Sequence, residues 1–127
     1  MTKLFAVVLL ACVAGCAGSP TAASCPTSDP PTYASFGADF MTTYCTGCHS
    51  AKATNRFGAP SDQNFDTEAD VIAHLDDIDQ EAASGPAATN TDMPDMSGPV
   101  HTAPTTADRV ELGQFLACLK AGDPAAN

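Results

Sequence analysis

Basic residues are scarce in this chain. Lys and Arg together number 5 against 15 Asp and Glu, for a formal net charge of −10. A surface so poor in cations has nothing to hold a phosphate backbone, which excludes nucleic acid as a partner. It also excludes adhesion to anionic lipid through charge alone. Long hydrophobic runs are missing too: the apolar stretch Leu4 to Val13 is too short to span a bilayer. Tryptophan is absent and charged residues make up only 16% of the chain. No run of Val, Ile or aromatic residues precedes Cys45, so the strand of a thioredoxin-like βαβ unit is lacking. The cysteines outside Cys45 and Cys48 are scattered singly, whereas a structural zinc site needs a second ligand pair.

What is present begins with a leader. Lys3 followed by the apolar stretch to Val13 has the charge and length of a signal peptide, expected over residues 1–15. The run closes on Val13-Ala14-Gly15-Cys16, which resembles a bacterial lipobox. That likeness implies acylation of Cys16, a lipid anchor to a membrane face, and a place in the bacterial envelope as a periplasmic or outer-membrane lipoprotein. Leu9-Leu10-Ala11-Cys12 is a poorer second match, and ordinary cleavage with Cys16 left as a thiol is the alternative. Residues 16–32, rich in Ala, Ser, Thr and Pro, read as the lipidated N-terminus and a tether. Residues 33–127 read as one small domain.

The central stretch is Cys45-Thr46-Gly47-Cys48-His49. Two thiols three positions apart, followed at once by an imidazole, form the attachment signature of c-type haem. Each thiol adds to one vinyl group, and the next residue then lies under the iron. Cys45 and Cys48 are therefore the expected thioethers and His49 the proximal ligand, its second ring nitrogen fixed by a partner. Thr46 and Gly47 are small enough for the backbone to lie against a porphyrin edge. A plain Cys45–Cys48 disulfide would close a very small loop. Of six cysteines, Cys12 leaves with the leader, Cys16 takes lipid and two take haem. Cys25 and Cys118 remain, and an oxidising compartment favours a bridge between them, worth ~2–4 kcal/mol. Two unpaired thiols are the alternative.

Three helices are readable around this motif. Phe36, Phe40 and Tyr44 recur every four residues, so Tyr33 to Tyr44 is the first, with Thr32 or Ser35 as its cap. The second opens at Thr67-Glu68-Ala69-Asp70, shows Val71, Ile72, Leu75 and Ile78 as its stripe, and stops at Gly85-Pro86. His74 within it reads as a core-edge histidine, and Asp76, Asp77, Asp79 and Glu81 as a solvated acidic face. The last runs from Thr105 to Ala121, its apolar surface Val110, Leu112, Phe115, Leu116 and Leu119. Between the second and third lies a long loop holding Met93-Pro94, Met96 and His101. A thioether is a soft ligand suited to low-spin haem iron. Met93, with Pro94 holding it extended, is the first choice for the distal position. Met96 and His101 are the alternatives. Arg56, in the loop after His49, reads either as a propionate partner or as a solvated surface residue.

In this order, aromatic helix, C-x-x-C-H, loop with proline, helix, Met-Pro strap and terminal helix, residues 33–121 resemble a class I cytochrome c. The likeness implies an all-α fold of three to four helices around one covalently bound haem c, with a long Met-bearing loop. It implies that the Pro60 carbonyl accepts from the His49 imidazole, and that Gly37 and Phe40 lie where first and last helices cross. Asp95 after Pro94 departs from the family pattern, as do the N-terminal extension and the Cys25–Cys118 pair. The implied function is non-enzymatic electron transfer, with redox proteins carrying a basic docking face as partners. A haem enzyme or gas-binding protein with an open distal position, and a haem subunit of a larger respiratory complex, are the competing readings.

Overall fold

The computed structural model describes residues 18–122; the leader, Cys16 and residues 123–127 lie outside them. Among the described residues the fold is all-α. There is no β-strand, only an isolated antiparallel bridge between Ser84 and Thr89, and no helix long and apolar enough to cross a membrane.

The first helix begins as a π-helical turn, Tyr33–Gly37, that runs directly into α1, Ala38–Tyr44. Thr32 and Ser35 cap it together: each side-chain oxygen accepts from the other's backbone N–H. The four-residue aromatic spacing becomes a ring ladder, Phe36 to Phe40 at 5.3 Å and Phe40 to Tyr44 at 4.9 Å between centroids. A capping box between Thr67 and Asp70 starts α2, Glu68–Ala73. After His74 comes α3, Leu75–Ala82. The last helix, α4, is Thr106–Ala121; a Thr105–Asp108 capping box opens it and Gly122, left-handed at φ 69°, closes it.

The second helix is thus two helices, where one was expected. His74 breaks it with φ −130° and ψ 25°. Its N–H bonds back three residues to Val71, and its ring nitrogens lie 3.3 Å from the Asp77 carboxylate and 3.2 Å from the Asp62 carbonyl. Side-chain bonds to both flanks hold the residue out of helical register. The helix also ends at Ala82 rather than at Gly85-Pro86, because Ser84 donates instead to the Arg109 carbonyl.

The core gathers Phe40, Met41, Phe65, Val71, Ile78, Leu112, Phe115 and Leu116. Ile72 and Val110, read as core-facing, are exposed. The first and last helices cross where Gly37 meets Phe115; a Cβ at Gly37 would lie 2.5 Å from the ring's Cζ.

Residues 18–32 are bound to the body rather than hanging free as a tether. Thr21 is fully buried, and Asp79 of α3 accepts its N–H at 2.8 Å as well as its hydroxyl proton. Asn90 grips both backbone groups of Ser19, at 3.2 and 2.7 Å. Asp79 therefore fastens this strap instead of sitting on a solvated acidic face. The Cys25–Cys118 disulfide, with Cα atoms 4.5 Å apart, locks the strap to α4.

Candidate functional site: an apolar cavity walled by the C-x-x-C-H motif

α1 delivers the chain into the motif without interruption: the N–H groups of Cys45 and Thr46 both donate to the Met41 carbonyl. A tight turn follows, Cys48 and His49 donating to the Cys45 carbonyl at 3.1 and 2.9 Å. Cys45, Cys48 and His49 all face one cavity of about 470 Å³, within the range of ~300–1,000 Å³ that ligand pockets occupy. Phe40, Tyr44, Phe65, Ile78 and Val100 make much of its wall apolar. Both thiols are free. Burial pushes the Cys45 thiol up to about 12, with the charge of Cys48 adding to the rise and Arg109 opposing it. Burial also raises Cys48, helped by Asp95.

His49 is nearly buried, stacked on Phe65 with ring centroids 4.7 Å apart and planes 20° from parallel. Its Nδ1 lies 3.2 Å from the Gln63 carbonyl. A carbonyl only accepts, so the proton sits on Nδ1 and Nε2 keeps its lone pair for a metal. Burial lowers the basicity of this ring. The acceptor is Gln63 and not Pro60, as the resemblance implied. The Pro60 carbonyl is taken by Arg56.

Arg56 explains the loop. Its five N–H donors go to the carbonyls of Ser50, Ala59, Pro60 and Gln63 and to the side-chain oxygen of Asn64. The ends of the loop meet where Phe65 donates to the His49 carbonyl at 2.9 Å, and where Asp66 accepts from Ser50 Oγ at 2.6 Å and from the Ala51 N–H at 2.8 Å. Residues 50–64 thus form a compact loop around one guanidinium. A propionate role for Arg56 would require one of these bonds to be exchanged.

The strap after α3 brings one of its three candidate ligands to the cavity. Met93 lines it, with Pro94, Asp95 and Gly98. Met96, 46% exposed, and His101, also exposed, are not on its wall. The Met93–Pro94 peptide is cis. Met93 is held by its backbone at both sides: its N–H donates to Glu81 at 2.9 Å and its carbonyl accepts from Arg109 at 2.8 Å.

Two residues of this site escape a reading of the motif alone. Glu81 lines the cavity, and burial with Asp92 and Asp77 nearby raises its carboxyl. Arg109 is 5% exposed, and its Nη1 lies 2.7–3.0 Å from the carbonyls of Ala82, Asn90 and Met93. The signal for it was helical register: Arg109, Leu112, Gly113 and Leu116 share one face of α4, and that face is buried. Among the described residues no cluster of three or more His, Cys, Asp or Glu converges as a metal site. A haem iron needs only two axial donors from the protein, and an imidazole and a thioether are both on the cavity wall. The apolar wall, the free thiol pair and the oriented imidazole fit a covalently held porphyrin. No family model, curated protein or solved structure matches the chain.

Proposed function

We propose that the chain is a monohaem c-type cytochrome, an electron carrier of the bacterial envelope tethered by lipid at Cys16. One observation carries the reading: Cys45, Cys48 and His49, the three reactive positions of the C-x-x-C-H signature, line the same apolar cavity as Met93. A haem attached there would supply a one-electron iron couple. The chain's own residues bind and shield it. Cys45 and Cys48 anchor one edge. Gln63 fixes the tautomer and tilt of His49, and Phe65 covers the ring's face and excludes water. Met93 offers a soft thioether that favours the reduced state. The acidic chain suits a redox partner with a basic docking face.

The raised thiol at Cys45 counts against a thiol–disulfide enzyme, whose attacking cysteine needs a lowered pKa. A haem protein with an open distal position is the second reading. It draws on the 37% exposure of Met93 and on the Glu81 carboxyl at the cavity wall, a group able to donate a proton.

A reduced-minus-oxidised visible spectrum with a pyridine haemochrome assay tests the cofactor, and two thioethers are expected. A colourless mature protein whose Cys45 and Cys48 both react with maleimide would refute it. For the oxidised protein we expect a weak far-red sulfur–iron band, lost in Met93→Ala together with a gain of at least tenfold in cyanide affinity. Cyanide binding to wild type as tight as to that variant would move the assignment to the open-site protein.

A further inference from the structure

We propose that Arg109 is the positioning residue of the distal ligand, holding the Met93 strap to the end of α3 through one guanidinium nitrogen shared by three carbonyls. The claim about the ligand rests on the haem reading above; the claim about the strap does not.

Three carbonyls from two segments converge on Arg109 Nη1: that of Ala82 at the end of α3 at 2.7 Å, and those of Asn90 at the start of the strap and Met93 within it at 3.0 and 2.8 Å. The backbone of Arg109 is also fixed, its carbonyl accepting from Ser84 and its N–H donating to Thr105. One residue therefore ties both ends of the segment from Ser84 to Met93. Among the described residues no carboxylate lies within ion-pair distance of this guanidinium. A buried charge costs several kcal/mol in desolvation, and an apolar side chain would fill the same volume without that cost. Three converging carbonyls need a multidentate donor, which an apolar side chain cannot supply. Met96 provides the contrast: it lies in a turn closed by Gly98 N–H on the Asp95 carbonyl at 3.2 Å, and although Asp95 and Gly98 line the cavity, Met96 itself does not. The strap is thus pinned at the methionine that faces the cavity.

Arg109→Gln tests this in the haem-loaded protein, beside Leu119→Ala as a core variant that lowers stability away from the cavity. In Arg109→Gln the far-red band weakens and imidazole affinity rises at least tenfold. In Leu119→Ala both stay at wild-type values. Equal changes in the two variants, or none in Arg109→Gln, would overturn the proposal. Arg109→Lys keeps the charge and offers three N–H donors, but its nitrogen ends one bond nearer the backbone, short of the point where the three carbonyls meet, and an intermediate rise of about threefold is expected. Should Arg109→Gln fail to fold, Arg109→Lys decides alone, and wild-type affinity in it counts against the role. Hydrogen exchange on the haem-free chain separates this from the cofactor assignment. Peptides spanning 90–98 exchange at least tenfold faster in Arg109→Gln or Arg109→Lys than in wild type. If wild type takes no haem yet this difference appears, the cofactor reading fails and the strap role stands. Unchanged exchange sinks the strap role whatever the spectrum.

Discussion

Among the described residues, Arg56 and Arg109 hydrogen-bond to backbone carbonyls, and neither forms an ion pair with a carboxylate. In a chain with so few basic residues, these two are used to organise irregular backbone, one in the loop behind His49 and one in the strap before Met93. A planar guanidinium carries five N–H donors in a rigid fork, against three on one nitrogen for an ammonium, and Arg56 uses all five. Cys45 shows what burial does to the thiol pair. With its pKa moved from 9.0 to about 12, the thiolate fraction near pH 8 falls by about 1,000-fold. Iodoacetamide on the haem-free protein should therefore label Cys48 well before Cys45, as read by peptide mass mapping. Equal rates would show that Cys45 is solvated. Asp66 gives a pH-dependent effect. Its carboxyl sits below its ordinary value because Ser50 Oγ and the Ala51 N–H donate to it. A lowered folded-state pKa stabilises above the unfolded value, near 3.8, and the contribution is lost as pH falls through the folded pKa. Asp66→Asn should lower the Tm by roughly 2–4 °C at pH 7, an amount small because the group is exposed. The difference between the two proteins should shrink as pH falls below 3.8 and through the folded-state value. A gap unchanged over that range would mean the carboxylate is not its source.

Helix boundaries follow local chemistry at some points and tertiary contacts at others. The three capping boxes, Thr32–Ser35, Thr67–Asp70 and Thr105–Asp108, are self-contained, so the starts of the helices were readable from the residues. The break at His74 was not, because it depends on the Asp62 carbonyl twelve positions away. Nor was the end at Ala82: the Ala83 N–H still donates to Asp79, but those of Ser84 and Gly85 go to the Arg109 and Ala88 carbonyls, outside the helix. Gly113 illustrates packing that sequence alone hides. It lies mid-helix in α4, where glycine is a poor former, yet a Cβ there would come within 2.5 Å of the Ser84 carbonyl and 3.1 Å of Ala23. Gly113→Ala should thus lose stability, by ~1–3 kcal/mol, despite its gain in helix propensity. Thermal melts decide the sign, and a higher Tm would mean that the strap and the Ser84 turn yield freely.

At the scale of the fold, a long-range covalent link closes a small core among the described residues. Cys25 and Cys118 are 93 residues apart in sequence, so the bridge restricts nearly the entire folded chain and should contribute ~2–5 kcal/mol. The double variant Cys25→Ala/Cys118→Ala should lower the Tm by at least about 8 °C. Its visible spectrum should stay unchanged, because neither residue lines the cavity. Loss of the far-red band in that variant would show that the strap and disulfide hold the Met93 segment as well as the N-terminus.

The sequence by itself determined whatever is set by neighbours a few bonds apart: the helical segments and their opening caps, the aromatic ladder and the thiol–thiol–imidazole triplet. Setting aside the cysteines expected to leave with a leader, take lipid or take haem left Cys25 and Cys118 as the expected pair, and the structure joins them. Tertiary structure decided which carbonyl orients His49, what Arg56 and Asp79 bind, and which of three candidate donors reaches the cavity wall. The reason is physical. A helix start or a C-x-x-C-H turn is specified by short-range hydrogen bonds and spacing. The partner of a buried polar group is whichever acceptor the folded chain brings within about 3 Å, and that depends on segments remote in sequence.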